Sequence, residues 1–202
     1  MSEVALYKRL KRQNEQQESD NKTIFGFWVY LMTDCLLFAS LFATYAVLHG
    51  NTFGGSGAKD LFDQPFALTE TLILLTSSFT CGLATLAMHR RRKDQVLFWF
   101  AVTFVLGVAF LAMELTEFTR LVHEGNSWRR SGFLTSFFTL VSTHGLHITV
   151  GLLWMIVMWI RVAQGGLKRS TVRRLTMLSM FWHFLDIVWI FMFTIVYLMG
   201  AA

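Results

Sequence analysis

Residues 179–200 read SMFWHFLDIVWIFMFTIVYLMG, and of these 22 only His183 and Asp186 can carry a charge. A run this apolar satisfies the requirement for crossing a bilayer, about 20 mostly apolar residues. The His and the Asp lie three apart, so on a helix they share one face. Placing an ionisable side chain in hydrocarbon costs at least ~2.5–3.5 kcal/mol on insertion scales. What offsets that cost bears directly on what the chain does.

Outward from this stretch, the same pattern recurs. Apolar runs at about 24–48, 66–88, 95–118 and 133–160 join 175–199 to give five expected spans. The fold class is therefore all-α: a polytopic membrane protein with five transmembrane helices in one bundle. Composition agrees, since the 202 residues are 54% hydrophobic and only 15% charged, with a mean hydropathy of +0.47, whereas a soluble domain is about 25% charged. Residues 1–22 form a polar cytoplasmic tail and 23–202 the membrane domain, with no internal repeat and no second domain. The tail mixes both signs of charge without an apolar stripe and is expected to be a mobile or surface-lying extension. No cleavable signal peptide is expected, because the start is polar and the first apolar run too long. Pro65 sits at the start of the second span, where its missing N–H costs nothing.

A net charge of +5 invites a nucleic-acid reading. The basic residues instead fall in short tracts between apolar runs, the pattern of topology determinants. Lys8, Arg9, Lys11, Arg12 and Lys22 lie in the tail, Arg90, Arg91, Arg92 and Lys93 between spans two and three, and Arg161, Lys168, Arg169, Arg173 and Arg174 around the next such loop. The opposite side holds Lys59, Arg120, Arg129 and Arg130. This imbalance places the N-terminus in the cytoplasm and the C-terminus outside. Cys35 and Cys81 show no C-x-x-C spacing and are expected as small buried core residues. Trp28, Trp128, Trp154, Trp159, Trp182 and Trp189 are expected to serve packing and interface anchoring.

Eight ionisable residues fall inside the spans: Asp34, Glu70, Glu114, Glu117, His144, His147, His183 and Asp186. At ~1.5 Å per residue, Asp34, His144, His147, His183 and Asp186 cluster near the bilayer midplane. Glu70, Glu114 and Glu117 form an outer layer, with the E-L-T-E pair roughly 10–15 Å above the H-G-L-H pair. Three spans carry i,i+3 pairs, E-L-T-E, H-G-L-H and H-F-L-D, each expected on a face turned to protein rather than lipid. Gly145 and Gly151 are expected to let helices approach closely.

Three chemistries suit this pattern. Carboxylate and histidine pairs from several helices build di-iron sites, and two facing histidines bind haem; the depth split and the few carboxylates at one level count against the di-iron case. A satisfied hydrogen-bond network would lock the bundle in register. Intramembrane acids and histidines also mark proton paths, with Asp34 the leading candidate and a carbodiimide its natural probe. The residues alone present no catalytic constellation.

The stretches STHGLHITVGLLWM, FWHFLDIVWIFMFTIVYLMG, GFWVYLMTDCLLFASLFATYAVL and MELTEF together resemble subunit III of the haem–copper terminal oxidases, over residues 24–200. Members commonly have seven helices; this chain is similar to the five-helix form that lacks the first two, and the wording of its last helix is closest to the bo-type ubiquinol oxidase branch. The resemblance implies a non-catalytic subunit of an aerobic respiratory complex in a bacterial inner membrane. Haems and copper would then reside in partner subunit I, with no cofactor or metal in this chain. Subunit I would be the main contact, subunits II and IV further partners, and phospholipid a bound ligand, with no nucleic acid. It also implies support of proton uptake and sustained turnover. Asp34 falls where the cytochrome c branch carries a carbodiimide-reactive glutamate. Glu117 matches the acid of the family's Q-x-x-E-Y region, Glu114 stands where the mitochondrial form has glutamine, and His144, His147, His183 and Asp186 match directly. Alternatives are subunit III of a bacterial cytochrome c oxidase and a stand-alone membrane haem or metal protein.

Overall fold

A computed structural model describes residues 3–51, 64–125 and 131–199. Lys59, Trp128, Arg129 and Arg130 lie outside the described residues. The elements are α1 (Glu3–Leu48), α2 (Gln64–His89), α3 (Lys93–His123), α4 (Gly132–Gly165) and α5 (Arg169–Met192), the last running into a π-helical segment, Phe193–Met199. Each of the five has a stretch long and apolar enough to cross a membrane. The chain divides into two compact units, Met1–Leu36 and Leu37–Ala202.

In the first unit, the expected mobile tail is helical from Glu3 onward. The reason is compositional: residues 3–23 contain neither glycine nor proline and are rich in Glu, Gln, Lys, Arg and Leu, all good helix formers. Lys22 pairs with Glu18 one turn back at 2.8 Å, the exposed i,i+4 arrangement that supports a helix.

In the second unit, α2 packs on α3, α3 on α4, α4 on α5, and α5 back on α2, closing a ring. A three-arginine turn joins α2 to α3. Arg91 adopts φ 57° and closes α2 with the N–H of Arg92 on the Ala87 carbonyl and its own N–H on Met88, a Schellman-type stop built without glycine. Lys93 donates to the Ala163 carbonyl at 2.8 Å and Arg91 to Leu167 at 3.1 Å. Both cations thus sit at the electronegative end of α4, and the two basic loops share one end of the ring.

The ring is held at its centre by Trp182 of α5, which is fully buried. A Cβ added at Gly107 of α3 would stand 2.8 and 2.9 Å from its ring, and one at Gly151 of α4 3.1 and 3.2 Å from it. Two glycines on different helices therefore form a slot one indole thick. The indole N–H finds Ser77 of α2 at 3.0 Å, so one side chain touches all three neighbouring helices. Two turns along, Trp189 donates to Thr71 at 3.1 Å. Residues 37–51 join α4 through large rings: Phe38 lies 5.2 Å from the His147 ring and Tyr45 6.0 Å from Phe133.

Candidate functional site

The polar residues of the second unit gather into three groups. His144, completely buried, donates from Nε2 to the Leu185 carbonyl of α5 at 3.2 Å. Its ring packs between Phe110 and Trp189, with centroids 6.0 and 5.3 Å away. His147, one turn on, is only half-buried and donates from Nδ1 to its own helix, to Thr143 at 2.7 Å.

The second group is the H-F-L-D pair. Asp186 is 4% exposed, but the side chain of His183 is 41% exposed. Within this chain the pair is therefore divided, with Asp186 packed inside and His183 at the rim. Residues three apart on a helix still point about 60° apart, and the edge of the buried face falls between them. Nδ1 of His183 shares a hydrogen bond with Ser78 of α2 at 2.7 Å, while Asp186 Oδ2 stands 3.7 Å away. Ser78, rather than the neighbouring acid, fixes the imidazole.

The third group is acidic. Glu70 on α2 and Glu114 and Glu117 on α3 are each 2% exposed or less, and Glu70 lies within electrostatic reach of both others. Tyr197, carried by the π-helical segment, donates to Glu117 Oε2 at 2.9 Å. The carboxylate of Glu114 rests on α4 where a Cβ at Gly145 would be 2.8 Å from one oxygen and 3.1 Å from the other. That places Glu114 level with H-G-L-H and corrects the expected depth split. α3 continues to His123 instead of ending near residue 118, which sets Glu114 about 7.5 Å deeper below the helix end.

Asp34 lies on α1 in the first unit. Cys35 beside it is exposed, contrary to expectation, and Cys81 is buried; a spanning helix is apolar on every side, so lying in an apolar run does not confer burial. Gly145 and Gly151, expected as points of helix approach, instead make room for the side chains of Glu114 and Trp182. Tyr197 and the Trp–hydroxyl bonds were not anticipated. A signal for the latter existed: Thr71 and Ser77 on α2 face tryptophans seven apart on α5. Among the described residues, no three His, Cys, Asp or Glu side chains converge as metal ligands would.

Residues 13–201 match the family model described as Cytochrome c oxidase subunit III. The chain belongs to that family. It is 53% identical over 208 residues to the cytochrome bo(3) ubiquinol oxidase subunit 3 of Pseudomonas aeruginosa, with both chains covered completely. The cytochrome c oxidase subunit 3 of Bacillus sp. PS3 is 44% identical over 94% of this chain and 91% of its own length. The quinol oxidase subunit 3 of Bacillus subtilis is 42% identical, covering 93% and 92%. As a subunit III, the chain is a membrane-embedded member of a multi-subunit haem–copper oxidase.

Proposed function

We propose that this chain is the non-catalytic subunit III of a proton-translocating quinol oxidase in a bacterial inner membrane, with its N-terminus cytoplasmic and its C-terminus outside. Electrons pass from ubiquinol to oxygen in the partner subunits, and the haems and copper reside in subunit I. The chain braces subunit I, meets subunits II and IV, holds phospholipid, and supports proton uptake and sustained turnover. One observation carries this reading: several buried polar side chains each bond to another helix of the chain. His144 reaches Leu185, Trp182 reaches Ser77, and Tyr197 reaches Glu117. That is the economy of a scaffold. Asp34, His144, His147, His183, Asp186, Glu114 and Glu117 serve this polar network, and Asp34 is in addition the residue assigned to proton uptake.

The relative from Bacillus sp. PS3, named a cytochrome c oxidase subunit, favours a second reading with cytochrome c as donor. The experiment is affinity capture of this chain from its native membrane in mild detergent, with reduced-minus-oxidised spectra before and after the partners are stripped away. Haem is expected to leave with a large partner, and the captured complex to oxidise quinol. Turnover with reduced cytochrome c alone would select the second reading. Haem remaining on the isolated chain would overturn both.

A further inference from the structure

His183 presents a problem that the chain itself does not solve. It lies in the middle of a membrane-spanning segment, Arg169–Leu198, and its side chain is 41% exposed. Nδ1 is held by Ser78 at 2.7 Å, and the described residues provide no partner for Nε2. Lipid tails cannot provide one either, because a hydrocarbon core contains no hydrogen-bonding group.

A second observation points to the same place. Gly82 lies one turn along α2 from Ser78, and a Cβ added there would meet nothing within 4 Å. Unlike Gly107, Gly145 and Gly151, this glycine makes room for no side chain of its own molecule. Glycine and serine on one face of a membrane helix allow a neighbouring backbone to come close. Around them, Phe79 is 68% exposed on α2 and Ile187 53% exposed on α5. A polar group in need of a partner thus stands beside a small-residue opening with an apolar surround.

We infer that the α2–α5 seam, centred on His183, Ser78 and Gly82, seats a transmembrane helix of another oxidase subunit. That helix passes over Gly82 and supplies a carbonyl, hydroxyl or carboxylate oxygen to the Nε2 side of His183. The inference rests on the reading of the chain as an oxidase subunit and adds the surface through which it assembles.

The decisive variant is Gly82→Leu. Leucine is the better helix former and no described residue stands within 4 Å of its Cβ, so the isolated chain should melt at the wild-type temperature or above. Its co-purification with the haem-bearing subunits should nevertheless fall at least about threefold, the scale of one interhelical hydrogen bond in a membrane; a smaller fall overturns the inference. His183→Leu should produce the same loss. A photo-crosslinking residue at position 79 should form an adduct with a transmembrane segment of another subunit. Adducts only with lipid, or with a second copy of this chain, overturn the assignment. Failure of the wild-type chain to bring down haem would instead strike the oxidase-subunit reading, so the two failures are distinguishable.

Discussion

Two glycine-to-alanine changes separate rigid from yielding neighbours. At Gly107 the new methyl meets the Trp182 ring at 2.8 and 2.9 Å, and that ring is pinned by its bond to Ser77. Gly107→Ala should cost about 1–3 kcal/mol of overpacking strain, visible as a lower melting temperature of the solubilised protein. At Gly145 the obstacle is the end of the Glu114 side chain, which can rotate, and alanine recovers about 1 kcal/mol of helix propensity. Gly145→Ala should therefore melt closer to wild type; a reversed order would refute the slot around Trp182. Asp186→Ala removes a 4%-exposed acid 3.7 Å from His183; because Ser78 already holds the imidazole, it should cost no more than about 1 kcal/mol. A variant that assembles and melts unchanged would mean that Asp186 plays no structural part. These positions were visible in the sequence as glycines and an H-F-L-D pair. Which neighbour each one meets was not, because helix phase relative to other helices is decided by packing across the bundle.

At the scale of elements, the π-helical end of α5 is the feature that periodicity conceals. Each residue of a π turn advances less around the axis than in an α-helix, so residues 193–199 do not continue the face set by Trp182 and Trp189. This is how Tyr197 comes to Glu117. Tyr197→Phe should keep the ring packing against Phe137 at 6.3 Å while removing the hydroxyl, and should cost about 0.5–1.5 kcal/mol. Chemical denaturation of the variant beside wild type would measure it, and an unchanged midpoint would count against the bond. The ends of helices were legible only where chemistry marked them. Arg90–Lys93 announced a turn, whereas α3 runs on through Thr119, Arg120, Leu121 and Val122 to His123 without a glycine or proline to stop it. From that one misplaced boundary came the false separation of Glu114 from H-G-L-H.

For the whole molecule, five apolar runs sufficed to specify a membrane bundle, since only length and hydropathy are needed to recognise a span. Sidedness of a surface is a different quantity, and the half-exposure of His183 could not be derived from a face shared with Asp186. Reactivity toward reagents that dissolve in the membrane tests how the acids are distributed. Asp34 is buried too, at 7% exposed, but Glu70, Glu114 and Glu117 are each at 2% or less and should resist a hydrophobic carbodiimide in the intact protein. The peptide containing Asp34 should take the label, as read by mass spectrometry. Label confined to Glu70 or Glu117 would remove Asp34 from any role in proton uptake.

The indole slot also sets an order in time. Gly107 and Gly151 are synthesised before Trp182, and the side chain that fills the space between them arrives later, on α5. Until then α2, α3 and α4 enclose a gap with the Ser77 hydroxyl at its rim. A chain truncated after Gly165 would stay in that half-built state, open to membrane proteases and short of the contacts that complete it. α5 is thus the closing element: until Trp182 arrives, the slot between α3 and α4 has nothing to fill it.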